Sequence, residues 1–357
     1  MSVQRVDPVL DVPAERVAPL RSVLAALDAA TAVLITTHVN ADGDGAGCEA
    51  ALAAWLAGRG KRVWIANPTP LPAVFRHLVE RPDWIAEPGS AAATAAMREA
   101  DALLVVDTGE PKRIGRIAPA ARSRPVIVLD HHQPSDTAFA GTVLQDAAAC
   151  ATGELVYDLL SIAREPKPWP APIREGVYTA IVTDTGSFRF SNTTPRAHAI
   201  AGDLIAQGVD PELEYRRIYA TVPLRRVHLL RHALDGLAVD DTLPLTWITI
   251  DREAMDEFGA SSEDVEGVID HARDIEGTEI AILFRETSDG QTKVSLRSGG
   301  AVDVNGIARE FGGGGHVKAS GALVPGPLAE VRPRVLDAAR AALRDAGLNF
   351  RASRAAG

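Results

Sequence analysis

The chain has 357 residues, of which 46% are hydrophobic, and two cysteines, so its length and composition predict two hydrophobic cores without a disulfide framework. Its formal net charge of −10 argues against sequence-independent capture of long nucleic acid, which depends on many phosphate contacts from lysine and arginine. No apolar run approaches the roughly 18 residues that a membrane span needs, so we expect a soluble cytoplasmic protein with no membrane partner.

Four short apolar runs in the N-terminal half predict buried β-strands. They are AVLITTH (32–38), RVWIAN (62–67), ALLVVD (102–107) and PVIVLD (125–130). Such runs, separated by alanine-rich amphipathic stretches, are typical of a parallel sheet that helices cover on both faces. GVYTAIVTD (176–184) fits a buried helix as well as a strand. Because three of the runs end in histidine or aspartate, and parallel sheets place ligand sites at the carboxyl ends of their strands, we expect one site at this edge.

The C-terminal half predicts a smaller mixed α/β domain that follows a helical connector. The connector is rich in arginine and histidine, which is more typical of a solvated helical face than of a phosphate site. Beyond it, strands are predicted at LTWITID (245–251), TEIAILFRE (278–286) and TKVSLRS (292–298), with helical segments near 262–274, 303–310 and 328–345. We expect an N-terminal parallel-sheet domain at 14–200, a helical connector at 201–235, a C-terminal domain at 236–350 and a frayed tail at 349–357.

Four segments supply histidines and aspartates but no lysine or arginine. They contribute His38, Asp42 and Asp44; Asp107; Asp130, His131 and His132; and Asp184. If the strand ends bring four carboxylates together, each pair at about 5 Å repels by roughly 3 kcal/mol at an effective dielectric constant of 20. Each residue alone fits a helix cap or a satisfied core group, but the combination requires a compensating cation. Two divalent ions would balance the charges of Asp42, Asp44, Asp107 and Asp184.

The donor types indicate which metal the site prefers. Imidazole and carboxylate ligands without thiolate favour a hard octahedral ion, so Mn²⁺ is our first choice, with Mg²⁺ or Co²⁺ as alternatives. Two ions about 3.5–4 Å apart are a standard arrangement for displacement at phosphorus, because one activates the attacking water and both stabilise the oxyanions. The constellation therefore predicts phosphoester hydrolysis.

These motifs together resemble the DHH phosphoesterases, named for the triplet that here is Asp130-His131-His132, and the resemblance extends over nearly the whole chain. It implies that one ion is held by His38, Asp42 and Asp107, and the other by Asp44, Asp107, His131 and Asp184. Asp107 would bridge the two ions, and a metal-bridging hydroxide would attack the phosphorus. His132 would contact the scissile phosphate or the leaving oxygen, and Asp130 would orient a histidine. The candidate catalytic residues are therefore His132, Asp107 and Asp130.

A glycine-rich stretch, REFGGGGHVKASGA (309–322), carries the second candidate site. Successive glycines let backbone N–H groups approach an anion, although such a run is also typical of a flexible turn. The G-K-[ST] element of a Walker loop is absent, which disfavours nucleoside-triphosphate chemistry. The stretch, together with the preceding S-L-R-S, resembles the C-terminal domain associated with DHH proteins, in which Arg297 would bind phosphate. The resemblance implies substrate contacts from Arg297, Gly313, Gly314, Gly315, His316 and Ser320.

Two aromatic residues follow the last candidate ligand, in SFRFSNTT (187–194). Phe188 and Phe190 could stack on nucleobases, because every base offers a ring face to an aromatic side chain. Alternating aromatic residues are more often ordinary strand packing, so the sequence favours that interpretation and leaves the other open.

The compact two-domain form resembles the nanoRNase and pAp phosphatase group of the family. That resemblance implies hydrolysis of short oligoribonucleotides and of 3′-phosphoadenosine 5′-phosphate (pAp), with cyclic di-AMP or linear dinucleotides as alternative substrates. An inorganic pyrophosphatase would lack the glycine–histidine domain, a processive exonuclease would need a longer basic groove, and a non-catalytic nucleotide sensor would have lost ligands. The sequence does not rank the substrates, and it leaves cleavage polarity and the oligomeric state, a homodimer included, open.

Overall fold

The computed structural model describes residues 8–134 and 137–348, so the tail expected at 349–357 lies outside the described residues. The chain forms two compact units, Met1–Thr221 and Val222–Gly357. The boundary between them falls inside the segment 201–235, which the sequence assigns to a connector. The narrower domain limits of 14–200, 201–235 and 236–350 stay predictions. Among the described residues, no helix is long and apolar enough to span a membrane.

A five-stranded parallel sheet forms the centre of the first unit, in the order β2-β1-β3-β4-β5. Its strands are β1 (Ala32–Thr36), β2 (Arg62–Ile65), β3 (Ala102–Val106), β4 (Val126–Asp130) and β5 (Thr142–Gln145). The first four confirm the predicted apolar runs, and every residue of β1, β3 and β4 is buried, as expected for a sheet covered on both faces. The sequence does not predict β5, because only Leu144 of this short edge strand is buried.

The described part of the first unit also contains helices α1 (Ala14–Ala29), α2 (Gly43–Gly58), α3 (Ala91–Glu99), α4 (Thr152–Ile162), α5 (Ala171–Asp184), α6 (Pro195–Ala206) and α7 (Pro211–Ile218). The ambiguous run at 176–184 is therefore helical. Helices α2 and α5 cross closely, since a Cβ added to Gly47 would lie 2.3 Å from the carbonyl oxygen of Gly176, and one added to Gly176 would lie 2.5 Å from that of Gly47. This crossing joins the helix that begins at the H-x-x-x-D-x-D motif to the helix that ends at Asp184.

The second unit is built on a six-stranded mixed sheet in the order β10-β11-β9-β8-β7-β6. Its strands are β6 (Ala238–Val239), β7 (Leu245–Ile250), β8 (Ile280–Glu286), β9 (Gln291–Ser298), β10 (Gly314–His316) and β11 (Ala319–Pro325). Its helices are α8 (Leu224–Asp235), α9 (Arg252–Glu257), α10 (Val268–Arg273), α11 (Val304–Glu310) and α12 (Leu328–Asp345). Strands β7 and β8 run parallel and the other neighbours antiparallel, which confirms the mixed α/β architecture.

Two segments of the second unit differ from the sequence interpretation. The helical segment near 262–274 is divided into a 3₁₀ turn, Glu263–Val265, and α10, because Gly267 between them has φ +78°. The second half of the glycine run, Gly314 and Gly315, belongs to β10, which pairs with β11 in an antiparallel hairpin. A Cβ on Gly313 would lie 2.1 Å from the carbonyl oxygen of Gly321, so glycine is required for the backbones to approach this closely.

Candidate metal centre and active site

The predicted metal ligands lie on elements that meet at the carboxyl edge of the first sheet. His38 follows β1, Asp107 directly follows β3, and β4 ends at Asp130 with His131 and His132 behind it. Strands β1, β3 and β4 are neighbours in the sheet, so their ends bring these side chains together. Helices supply the remaining donors, since Asp42 and Asp44 lie at the start of α2 and Asp184 ends α5.

Asp107 has a left-handed backbone conformation, which is uncommon for residues other than glycine. Its φ is +61°, in the left-handed region, and its N–H donates to the carbonyl oxygen of Leu129 at 2.9 Å. Left-handed backbone at a residue with a side chain costs roughly 1–2 kcal/mol and is concentrated at functional sites. The fold therefore accepts local strain at the residue that the resemblance assigns to both ions.

Three groups of side chains have ligand atoms within 4.8 Å of one another: His38, Asp42 and Asp107; Asp44, His131 and Asp184; and Asp107, His131 and His132. His38 Nε2 lies 3.2 Å from Asp107 Oδ2 and 3.7 Å from Asp42 Oδ2. His131 Nε2 lies at nearly equal distances from three carboxylates, 3.7 Å from Asp44, 3.7 Å from Asp107 and 3.6 Å from Asp184. The structure thus brings together all six residues that the sequence proposed as metal ligands.

The electrostatics of this cluster fit a site for cations. No lysine or arginine of the described residues forms an ion pair with Asp42, Asp44, Asp107 or Asp184. Burial, together with the nearby carboxylate of Asp44, raises the pKa of Asp184 to about 7 and that of Asp107 well above its ordinary value. Although burial opposes it, hydrogen bonds with Asp107 and Asp42 raise the pKa of His38 to about 10. The crowded carboxylates are therefore difficult to ionise together unless a cation compensates them, which is the role that bound metal ions would have.

Helix α4 holds two of the carboxylates from the side. The backbone N–H of Thr152 donates to Asp44 Oδ2 at 2.7 Å, and that of Gly153 donates to Asp44 Oδ1 at 2.9 Å, so the positive end of the helix faces this buried anion. The Thr152 hydroxyl donates to Asp107 Oδ1 at 3.2 Å. Thr152 is not evident from the sequence, because the hydrogen bonds of Thr152 join residues that are 45 and 108 positions apart and no short motif contains both partners.

The Asp130 side chain forms a hydrogen bond with the neighbouring His132. Asp130 is fully buried; its Oδ1 lies 2.7 Å from His132 Nδ1 and its Oδ2 accepts a hydrogen bond from Gln145 Nε2 at 2.6 Å. Burial opposes ionisation, but the hydrogen bond with His132 lowers the pKa of Asp130, so the carboxylate is the acceptor and His132 Nδ1 carries the proton. The second ring nitrogen of His132 is then left for another partner.

Asn192 is a further residue of the site that sequence reasoning missed. Its side-chain amide donates to Asp184 Oδ2 at 3.0 Å, to the Asp184 carbonyl oxygen at 3.1 Å and to the Cys150 carbonyl oxygen at 2.8 Å. Asn192 belongs to SFRFSNTT, the segment in which only the aromatic residues Phe188 and Phe190 are predicted to have a role. The segment that follows α5 is therefore folded back onto its last residue.

The second candidate site lies on the hairpin edge of the second sheet. Register places Arg297 of β9 opposite Ala319 of β11, which in turn lies opposite His316 of β10. Residues directly opposite in antiparallel strands share a face, so the small Ala319 separates Arg297 and His316 by two strand spacings, about 10 Å. His316, Gly314 and Gly315 are exposed, and burial lowers the pKa of Arg297. The edge therefore combines one half-buried cation with exposed backbone and an exposed imidazole.

Two of the proposed substrate contacts have structural roles in this hairpin. The Ser320 hydroxyl is buried and donates to the His316 carbonyl oxygen at 2.7 Å. Gly313 packs against Gly321, as described above, and is only partly exposed. These contacts show how the hairpin is held, and the assignment of Ser320 and Gly313 to substrate binding stays a prediction.

The parallel sheet with a histidine–carboxylate cluster at its strand ends, followed by a unit with a glycine–histidine hairpin, defines a phosphoester hydrolase of the DHH type. The model of the DHH family, N-terminal domain, matches residues 32–181, and the model of the DHHA1 domain matches residues 247–345. The chain belongs to the DHH family. Phosphoesterases of this family are metal-dependent, in agreement with the clustered acidic and histidine side chains.

Three individual proteins are similar to this chain over most or part of its length. It is 32% identical, over 88% of its length and 91% of the relative, to the bifunctional oligoribonuclease and PAP phosphatase NrnA of Thermus thermophilus. It is 28% identical to the cyclic-di-AMP phosphodiesterase GdpP of Geobacillus thermodenitrificans, over 60% of this chain but only 32% of that protein. Among solved structures, an exopolyphosphatase-related protein from Bacteroides fragilis superposes with a TM-score of 0.84 at 26% identity, covering 92% of this chain and 96% of that one.

Proposed function

We propose that this protein hydrolyses the phosphodiester bonds of short oligoribonucleotides and removes the 3′-phosphate of pAp. The observation that carries the proposal is the pair of adjacent ligand groups, one containing Asp107 and the other containing His131, whose Nε2 lies 3.7 Å from Asp107 Oδ1, because two adjacent cation sites suit displacement at phosphorus. The nearly full-length similarity to the Thermus oligoribonuclease and PAP phosphatase supports this substrate class.

Two divalent ions are the cofactors of this proposal. His38, Asp42 and Asp107 would hold one ion, and Asp44, Asp107, His131 and Asp184 the other. The donors are imidazole nitrogen and carboxylate oxygen without thiolate, so Mn²⁺ is preferred over Zn²⁺, with Mg²⁺ and Co²⁺ as alternatives. When bound, the ions supply an activated water and neutralise the phosphoryl oxygens.

The side chains of the first unit have separate tasks in this reaction. Asp130 fixes the ring of His132 through Nδ1, which leaves Nε2 to hydrogen bond with a phosphate oxygen or with the leaving oxygen. Thr152 and Asn192 hold Asp107 and Asp184 in place, so that the carboxylates need little reorganisation when cations bind. His132 is then a residue of this unit that contacts the substrate directly.

The second unit would bind the nucleotide. The guanidinium of Arg297 can bind phosphate in a bidentate manner, and the exposed His316 with Gly314 and Gly315 offers further donors on the same edge. Arg297→Ala should lower kcat/KM by about ten- to a hundredfold, mainly through KM, because a charge-assisted bond present throughout the reaction is lost. Lys293→Ala is the control, since Lys293 is an exposed cation on the same strand and face.

Cyclic di-AMP and linear dinucleotides remain the alternative substrates. The relative named for cyclic di-AMP is about three times longer than its region of similarity to this chain, so it supports the alternative less well than the Thermus relative supports short RNA. An inorganic pyrophosphatase is disfavoured because the C-terminal domain model matches residues 247–345.

A substrate panel tests the proposal. Diribonucleotide, a long single-stranded RNA, pAp, cyclic di-AMP and pyrophosphate are incubated with the protein and Mn²⁺, and the products are quantified. We expect turnover of diribonucleotide and pAp, loss of turnover in excess chelator, and loss in Asp107→Asn. Asp101→Asn is the control, because Asp101 binds backbone amides at the opposite end of β3. Undiminished turnover in chelator or by Asp107→Asn would contradict the metal assignment, and turnover of cyclic di-AMP alone would select the alternative.

A further inference from the structure

The segment that follows Asp184 forms a tight turn of unusual backbone geometry. Gly186, Ser187 and Phe188 have φ values of +55°, +58° and +64°, three successive residues in the left-handed region. Two of them carry side chains, and each such residue costs roughly 1–2 kcal/mol. A turn of this kind persists only where the surrounding contacts hold it, and such contacts are abundant here.

Hydrogen bonds fix this turn to the end of α5. The backbone N–H groups of Arg189 and Phe190 donate to the Thr185 carbonyl oxygen at 2.9 and 3.0 Å, and Ser187 N–H donates to the Val182 carbonyl oxygen at 2.7 Å. Arg189 Nε donates to the Gly186 carbonyl oxygen at 2.7 Å. Together with the bonds from Asn192 to Asp184, these contacts make the turn and the metal-ligand carboxylate one rigid structure.

The two aromatic side chains of the turn have different surroundings. Phe188 stacks on the ring of His198, with centroids 4.7 Å apart, and packs against the core of the first unit. Phe190 is 46% exposed, although it is a large apolar side chain. Its ring lies against Gly186, where an added Cβ would be 2.5 Å from the Phe190 ring carbon Cζ. Packing therefore explains Phe188 but leaves part of the Phe190 ring uncovered.

The Phe190 ring packs on the turn that follows the proposed metal ligand Asp184. Gly186 is two residues from Asp184, a separation of at most about 7 Å along the chain, and the ring touches the position of a Gly186 side chain. The ring is also held in place, because Gly186 leaves room for it and the turn cannot relax without breaking the hydrogen bonds above. An exposed aromatic ring on the turn that follows a proposed metal ligand is suited to a planar, apolar ligand that is attached to a phosphate at that centre.

We propose that Phe190 is a base-stacking subsite of the catalytic unit, which takes the purine or pyrimidine ring of the nucleotide whose phosphate lies at the metal centre. The inference rests on the proposed function, because it assumes that the phosphate belongs to a nucleotide. Stacking is indifferent to base identity, so the subsite confers a preference for base-bearing substrates without sequence specificity.

The experiment compares Phe190→Leu, Phe190→Trp and the unaltered protein on matched substrates. These are a diribonucleotide, the same compound with an abasic ribose at either position, and pAp. Phe190→Leu should lower kcat/KM on the base-bearing substrates by about five- to a hundredfold, and Phe190→Trp should restore it. On at least one abasic analogue Phe190→Leu and the unaltered protein should be equal. Tyr215→Leu, which removes an exposed ring on α7, is the control and should alter nothing.

Equal fractional losses on base-bearing and abasic substrates, or no loss on either, would overturn the proposal. A binding measurement separates its failure from failure of the proposed function. Calorimetry with AMP and with ribose 5-phosphate should show that the unaltered protein prefers AMP and that Phe190→Leu reduces this preference by about five- to a hundredfold. If no substrate of the panel is hydrolysed, the proposed function fails, and the AMP preference still decides whether Phe190 stacks on a base.

Discussion

At the scale of single residues, the site contains two kinds of carboxylate. Asp107 and Asp184 are crowded by other anions, and their raised pKa values show that their ionised forms are poorly compensated. Asp130 is also buried, but His132 and Gln145 satisfy both of its oxygens, and its pKa is lowered. The first kind is suited to bind cations and the second to orient a neighbouring side chain.

The role of Asp130 predicts the effect of removing its charge. Asp130→Asn leaves the size of the side chain unchanged but no longer enforces the proton on His132 Nδ1, so the ring loses its fixed orientation. We expect kcat to fall by about ten- to a hundredfold, the usual effect of losing such a supporting contact. Steady-state kinetics on a diribonucleotide measures it, with Asp101→Asn as the control. A change in KM alone would assign His132 to ground-state binding instead.

The raised pKa values predict how stability depends on pH in the absence of metal. Between its unfolded value near 4 and its folded value of about 7, Asp184 binds more protons in the folded state, so its contribution to stability is present at low pH and lost as pH rises. The chelator-treated protein should therefore have a lower Tm at pH 7.5 than at pH 5.5. Asp184→Asn should flatten this slope, and an unchanged slope in that variant would contradict the assignment.

At the scale of secondary structure, the crossing of α2 and α5 determines the geometry of the site. The helix that Asp42 caps and the helix that ends at Asp184 approach each other until the glycine backbones at 47 and 176 are in contact. The cluster of ligands at their ends depends on this distance as well as on the strand ends. A side chain at either glycine would push the two helices apart along their length instead of disturbing a single contact.

This crossing predicts that Gly176→Ala is destabilising and weakens metal binding. The added Cβ would lie 2.5 Å from the Gly47 carbonyl oxygen, so the helices must separate, at a cost of about 1–3 kcal/mol. Gly202→Ala in α6 is the matched control, because nothing lies within 4 Å of its added Cβ, and it should be neutral or stabilising by up to about 1 kcal/mol. Urea denaturation and Mn²⁺ titration measure the two effects.

The same elements show what the sequence can and cannot predict. Strands β1, β3 and β4 are evident because each is buried throughout and leaves an apolar run, whereas β5 buries one residue and leaves none. The ligands are evident because they follow such runs in short motifs. The roles of Thr152 and Asn192 are not evident, because hydrogen bonds between separate segments of the chain produce no recognisable sequence pattern. The glycine run is recognised as a candidate site, but its strand pairing is not predicted, because the close approach of two backbones leaves no apolar run.

At the scale of the whole molecule, the metal cluster and the glycine–histidine hairpin belong to different units. All six proposed metal ligands precede Thr221, and both Arg297 and His316 follow it. Helix α7 belongs to the first unit by its contacts, since the Glu214 carboxylate lies 3.4 Å from His77 Nε2 and Arg217 lies 3.4 Å from the carboxylate of Glu175 in α5. A fragment that keeps the first unit complete must therefore include α7.

This division predicts the properties of a truncated chain. A fragment that ends at Thr221 should bind Mn²⁺ with an affinity close to that of the full chain, but should lose most of its kcat/KM on a diribonucleotide because Arg297 and His316 are absent. A fragment that ends at residue 200 should be less stable, since it lacks the contacts of α7. Calorimetric titration and kinetics test both, and undiminished kcat/KM in the longer fragment would remove the second unit from substrate recognition.

The crowding of carboxylates around His131 has a consequence for the lifetime of the protein in a cell. Ions that bind the folded chain and not the unfolded one increase its stability by mass action, so the fraction of unfolded molecules depends on the supply of divalent metal. Proteases remove the transiently unfolded fraction. When metal is scarce, the protein should therefore be degraded faster as well as inhibited. Its abundance in the cell should then rise and fall with the supply of divalent metal.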